Sequence, residues 1–169
     1  HPHSDCAGNI WLVHNGIIEN YRELKAELEG SGHEFKSETD TEVVAHLIEE
    51  VRSKNQELST EEATRQALQK IRGTYGLAIV SRDEPEKLIA ARNFSPLLIG
   101  IGVDEYIVAS DASAVLRYTR DVMYLDDGEM AVLTPEGHRI FDLENHAIEK
   151  KRDTIEWELE HAQKGGYPH

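Results

Sequence analysis

Trp11-Leu-Val-His-Asn-Gly-Ile-Ile-Glu-Asn-Tyr21 is the stretch on which the reading of the fold turns. An apolar run, Ile10 to Val13, stops at His14-Asn15-Gly16, and a helical pattern begins a few residues later. The pattern puts Asn15 and Gly16 at a strand end, and two readings follow. One is a tight turn, because Asn-Gly tolerates the backbone conformations that turns require. The other is chemical. A side-chain NH2 beside a backbone N–H at a strand end gives two fixed donors, which is what an oxyanion hole needs during acyl transfer.

After this stretch the apolar spacing is helical. Asn20-Tyr-Arg-Glu23 has the spacing of a capping box, Tyr21, Leu24 and Leu28 share a face, and Gly30 and Gly32 close the helix. A short extended piece, His33 to Lys36, leads to Ser37-Glu-Thr-Asp40, where Thr39 or Asp40 suits a helix N-cap. Val44, Leu47, Ile48 and Val51 then define a second helix. Ser59-Thr-Glu-Glu62 opens a third, with a weaker stripe of Ala63, Ala67, Leu68 and Ile71.

From Gly73 onward the pattern becomes that of strands: Leu77 to Val80, Lys87 to Ala91, Leu97 to Ile101, Tyr106 to Ala109, Val122 to Leu125 and Met130 to Leu133. Short connectors such as Asp83-Glu-Pro-Glu86 and Pro135-Glu-Gly137 favour antiparallel pairing. Asp111 to Tyr118 reads as a short helix, and His138 to Asp142 and Ala147 to Lys151 as two more strands. Asp153 to Gln163 reads as a last helix, broken by Gly165-Gly-Tyr-Pro168. Helices followed by antiparallel strands, several of them apolar on both faces, point to α+β layers.

Composition narrows the function classes. The chain has 169 residues, 39% hydrophobic and 30% charged, enough for one domain with its own core. A net charge of −14 argues against binding to a nucleic-acid backbone or an anionic membrane surface, both of which need clustered Lys and Arg. No apolar run approaches the roughly 20 residues that cross a bilayer. The single cysteine, Cys6, fits a reducing cytoplasm. Nine histidines are scattered, without His-Glu-x-x-His or a Cys pair, so spacing predicts no metal site. No cofactor motif is present. Arg72-Gly-Thr-Tyr-Gly76 precedes a strand and lacks the Lys-Ser/Thr of a phosphate loop.

His14-Asn-Gly-Ile-Ile-Glu-Asn20, followed by Ser37-Glu-Thr-Asp-Thr-Glu42, resembles the glutaminase domains of class II glutamine amidotransferases, and most of all those of the glutamine–fructose-6-phosphate aminotransferase family. Arg72-Gly-Thr-Tyr-Gly76, Ser95-Pro-Leu-Leu-Ile-Gly100 and Ala109-Ser-Asp111 extend the resemblance over nearly the whole chain. It implies an N-terminal-nucleophile hydrolase-like four-layer αββα sandwich, incomplete at the N-terminus. Residues 1–152 would be the glutaminase domain, and 153–169 a C-terminal helix and the start of a linker to a sugar isomerase domain. The implied reaction is hydrolysis of glutamine to glutamate and ammonia without a cofactor, in a protein that is a homo-oligomer at full length.

The same resemblance assigns site residues. Asn15 and Gly16 correspond to the oxyanion hole, and Asp40 to the carboxylate that binds the α-ammonium group of glutamine, a charge-assisted contact. The family's nucleophile is an N-terminal cysteine whose own amine serves as base. Here residue 1 is His, and Cys6 precedes the first long strand and is not the nucleophile. His1-Pro-His3 matches the segment following the family's carboxylate-binding arginine, so the resemblance implies that the nucleophile segment lies outside this sequence. Two other functions fit the same residues: another class II amidotransferase, or a non-catalytic glutamine-binding regulatory module.

Overall fold

The strand that carries Asn15 buries every second residue at its start, and this alternation sets the layers. The computed structural model describes residues 1–156. In β2 (Ile10–Ile18), Ile10 and Leu12 are buried, while Trp11 and Val13 face outward. β2 lies between β1 (His3–Ser4) and β3 (Gly73–Ser81), in a six-stranded antiparallel sheet completed by β4 (Leu88–Asn93), β8 (Glu129–Thr134) and β9 (Gly137–Asp142). Three helices, α1 (Tyr21–Gly30), α2 (Thr41–Lys54) and α3 (Thr60–Leu68), supply the apolar partners of one face.

Period-two alternation then feeds two cores. Ile89, Ala91, Met130 and Val132 join the helix-side cluster, while Ala90, Ala131 and Leu133 point the other way. They meet Leu125 and, in a second antiparallel sheet, Ile99 and Met123; that sheet is ordered β10 (Asp153–Thr154), β7 (Asp121–Tyr124), β5 (Leu98–Ile101) and β6 (Tyr106–Ala109). On its far side Leu98 and Val122 pack on Ala112, Val115 and Ile155. The layers are therefore α, β and β, with the fourth reduced among the described residues to the region of one 3-10 turn, Ala112–Ala114.

Several local expectations are corrected. Asn20 precedes α1 without a side-chain cap bond; its amide instead donates to Lys70 O and accepts from Arg72 N, tying the end of β2 to the start of β3. Asp111–Tyr118 makes a single 3-10 turn, with Asp111 accepting from Ser113 N. Ala147–Lys151 is not a strand. The Asp142 carboxylate holds a turn through Glu144 N and His146 N, leaving one bridge, Phe141 to Ala147. Asp153 and Thr154, expected to open a helix, pair with Val122 and Asp121 because burial of Ile155 holds the chain on the β7 edge. The remainder of that expected helix, 157–163, lies outside the described residues.

α3 begins as its sequence predicts, with Ser59 Oγ accepting from Glu62 N. A second cap comes from the β3–β4 turn, where Glu84 accepts from Thr60 N at 2.6 Å and from Lys87 Nζ. Burial acts to raise the pKa of Glu84, but Lys87 and the Thr60 bonds outweigh it and lower it to about 2. A carboxylate depressed in the folded state contributes stability above its unfolded pKa, and that contribution is lost as pH falls through the folded value. Glu84→Gln is therefore expected to cost about 2 kcal/mol at pH 7. The difference from the parent should shrink as pH falls from about 5 towards 2, as measured by urea denaturation across that range.

Candidate active site

Asn15 and Gly16 do not form a turn. β2 runs past them, and the pairs Asn15–Gly76, Gly16–Tyr75, Ile17–Thr74 and Ile18–Gly73 continue the ladder to its end. The partner strand prolongs it: Thr74 Oγ1 accepts from Ile17 N, and Arg72 O accepts from Glu19 N. Glycine is required at position 16 by close approach. Its φ is +132°, and a Cβ there would lie 2.3 Å from Thr74 O and 2.9 Å from Ser95 Oγ.

His14 braces this end of β2 from the other side. Its Nε2 contacts Thr74 O at 3.2 Å and its Nδ1 contacts Thr41 Oγ1 at 3.0 Å, joining β2, β3 and the first residue of α2. Asp40 immediately precedes α2, and its side chain makes no cap bond. The carboxylate turns to β2 instead, where Oδ2 accepts from Ile18 N at 2.7 Å. Asp40 therefore docks two residues beyond Gly16. Among the described residues, no hydrogen bond engages its Oδ1 or the side-chain amide of Asn15, which is exposed.

The loop leading to Asp40 is held by Glu42. Its carboxylate accepts from Lys36 N, Ser37 N and Ser37 Oγ at 2.6–2.8 Å, and from His46 Nε2 at 3.1 Å. Burial acts to raise its pKa, yet the bonds from Ser37, Lys36 and His46 win and bring it to about 2. His3 of β1 reaches the same loop through Thr39 Oγ1. On the β3 side the chain crosses between sheets at Asn93-Phe-Ser-Pro96. Asn93 Nδ2 donates to Gly73 O, and the exposed Phe94, at φ +60°, is held by its N–H on Asp127.

The structure thus brings Asn15, Gly16 and Asp40 together, and adds His14, Thr41, Thr74 and Ser95, to which sequence reasoning gave no role. The only signal for the last two was their presence in segments resembling one family. Cys6 is elsewhere. It lies in the turn before Ile10, and Asn15 is five residues further along an extended strand, about 16 Å away by strand rise. Burial, with the Glu49 carboxylate adding to it, raises the pKa of its thiol against a hydrogen bond to Glu34, whereas an activated nucleophile needs the opposite.

Residues 1–117 match the model of a glutamine amidotransferase domain. The chain belongs to that family. Along its full length it is 52% identical to the glutamine–fructose-6-phosphate aminotransferase (isomerizing) of Methanothermobacter thermautotrophicus and 53% identical to that of Thermococcus kodakarensis, spanning 28% of each. A glutamine phosphoribosylpyrophosphate amidotransferase from B. subtilis superposes with a TM-score of 0.68 at 29% identity, over 82% of this chain and 30% of that one. The fold is that of the N-terminal-nucleophile hydrolase class of amidotransferases, an α+β architecture with two antiparallel sheets.

The close approach at Gly16 yields a stability test. Gly16→Ala forces a Cβ against backbone as well as a strained φ, so a loss above about 3 kcal/mol is expected. Gly128→Ala, at φ +77° with open space around the added Cβ, should lose only about 1 kcal/mol. Denaturant midpoints of the two variants make the comparison.

Proposed function

We propose that this chain is the glutaminase part of a glutamine–fructose-6-phosphate aminotransferase, releasing ammonia from glutamine for the synthesis of glucosamine 6-phosphate. The observation that carries the reading is the convergence on one strand end of an uncommitted Asn15 amide, a Gly16 that admits no side chain and a docked Asp40 carboxylate. In this reading the Asn15 amide and the Gly16 N–H stabilise the oxyanion of the tetrahedral intermediate. Asp40, already anchored on Ile18 N, offers its remaining oxygen to the α-ammonium group. His14 and Thr74 hold the strand in place and do not touch substrate.

The nucleophile is a separate requirement, a thiol with a neighbouring amine base, and none of these residues supplies it. The same reading implies a fused sugar isomerase domain, a cytoplasmic location and a homo-oligomer at full length. No helix among the described residues is long and apolar enough to cross a membrane. Identities near 50% along the entire chain support the hexosamine enzyme over other class II amidotransferases.

Two substitutions in the full-length protein test the assignments. Asn15→Ala should lower glutamine turnover by about 10²–10³-fold with little change in glutamine affinity, because the charge it meets exists only in the transition state. Near-normal turnover would remove Asn15 from the reaction. Asp40→Asn keeps an acceptor for Ile18 N but loses the charge, so glutamine should bind about 10–100-fold more weakly. An analogue lacking the α-amino group should be unaffected, and equal weakening of both ligands would make Asp40 structural. Glutamine binding without glutamate release in the unsubstituted protein would favour the regulatory module.

A further inference from the structure

Four side chains from three separate segments meet at the middle of α2. Cys6 lies in the turn between β1 and β2, His33 in the loop after α1, and His46 and Glu49 on successive turns of α2. Their donor atoms all lie within 4.8 Å of one another. Cys6 Sγ is 3.4 Å from His46 Nδ1 and 3.7 Å from His33 Nδ1. Glu49 Oε2 is 3.3 Å from His46 Nδ1 and 2.9 Å from His33 Nδ1. A tetrahedral Zn2+, with bonds of about 2.3 Å to sulfur and about 2.0–2.1 Å to nitrogen and oxygen, sets its donors roughly 3.3–3.6 Å apart. The four atoms approach that spacing around one point.

A second observation concerns the imidazoles. Both turn Nδ1 inward and commit Nε2 outward to a carboxylate: His33 to Glu50 at 2.8 Å, His46 to Glu42 at 3.1 Å. Carboxylates in that position fix the tautomer and leave the inner nitrogen as a lone-pair donor, as they do around metal ions. Both rings are largely buried, with 8% and 1% of their side-chain surface exposed. When each Nε2 donates to its outer carboxylate, two Nδ1 atoms, a sulfur and a carboxylate oxygen face one point. Backbone donors support the sulfur and the carboxylate: Glu34 N reaches Cys6 Sγ at 3.4 Å and Cys6 N reaches Glu49 Oε2 at 3.2 Å.

We propose that Cys6, His33, His46 and Glu49 form a closed tetrahedral site for Zn2+. On binding, the Cys6 thiol releases its proton to solvent and the sulfur lone pair forms the bond to the metal. The imidazoles bind through Nδ1 and Glu49 through Oε2, with no change of oxidation state. Thiolate and carboxylate together neutralise the dication. All four positions are filled by protein, so no place remains for water or substrate and the role is structural. The ion clamps the β1–β2 turn and the loop after α1 to the middle of α2, the helix whose first turn abuts Asp40. This departs from the expectation drawn from spacing, because only His46-x-x-Glu49 is local in sequence and Cys6 is 40 residues from His46.

The test uses the full-length protein containing this chain, purified after growth with zinc. Elemental analysis is expected to find one zinc per chain at this site, lost in Cys6→Ser. After chelation, Co2+ should give intense tetrahedral d–d bands and a thiolate-to-metal charge-transfer band, the latter abolished in Cys6→Ser. Glu50→Gln, which alters the carboxylate behind His33 and otherwise only the i,i+4 pair with the exposed Lys54, should weaken metal affinity about 10–100-fold while keeping both bands. Absence of stoichiometric metal together with absence of a cobalt spectrum, in protein of native circular dichroism, overturns the proposal. So does metal that binds Cys6→Ser with unchanged affinity. The cobalt spectrum of the unsubstituted protein needs no variant, so a variant that fails to fold does not shield the proposal.

Discussion

The unbroken pairing of β2 with β3 is the constraint on which the rest of the molecule depends. Nine residue pairs run from Ile10–Ser81 to Ile18–Gly73. At the far end of the ladder the two backbones approach so closely that each strand needs a glycine. A Cβ at Gly16 would strike Thr74 O, and one at Gly73 would lie 2.1 Å from Ile17 O. The reciprocal pair lets Thr74 and Arg72 accept from Ile17 N and Glu19 N at the end of the ladder. Intramolecular hydrogen bonds contribute about 0.5–1.5 kcal/mol each, so these contacts keep the strand extended where Asn-Gly would otherwise turn.

The second determinant is electrostatic. The Glu42 carboxylate gathers the N–H groups of Lys36 and Ser37 and fixes the segment that delivers Asp40 to Ile18. A buried carboxylate is costly unless its oxygens are hydrogen-bonded. Here they are, and the chain between α1 and α2 has little freedom although it contains no regular structure. Much of the order in this loop comes from acidic residues of the following helix, Glu42 holding Lys36 and Ser37 and Glu49 and Glu50 holding His33.

Much of the fold was legible because its signals are local. The stripe of Val44, Leu47, Ile48 and Val51 gave α2, Ser59 gave the start of α3, and the strand limits between Gly73 and Asp142 were right to within a few residues, whereas Ala147–Lys151 was not a strand. The failures share a cause. Asn15-Gly16 has turn chemistry, but a partner strand 60 residues away overrides it. Asp153-Thr opens a helical sequence pattern, but the edge of β7 captures it. Asn20 has the composition of a cap, but the backbone at Lys70 and Arg72 competes for its amide. Asn15, Gly16 and Asp40 were identified as a set from resemblance alone, since no periodicity brings residue 40 to residue 18. The gathering of Cys6 with His33 and His46 is another contact over long sequence separation, and spacing rules for metal ligands do not reach it.

Every residue of α2 from Thr41 to Ile48 is buried, so its first two turns have no side open to water. A helix with a solvent face can tilt or slide to absorb a change of side-chain volume. This one moves only with its neighbours, because displacement in any direction meets packed atoms. A methylene added or removed at Val44 or Ile48 is therefore passed along the helix axis to Asp40 as a change of position. Packing volume in the core and the placing of a charge at the strand end become one variable, and drift in the first is corrected only by compensating change in its packed neighbours.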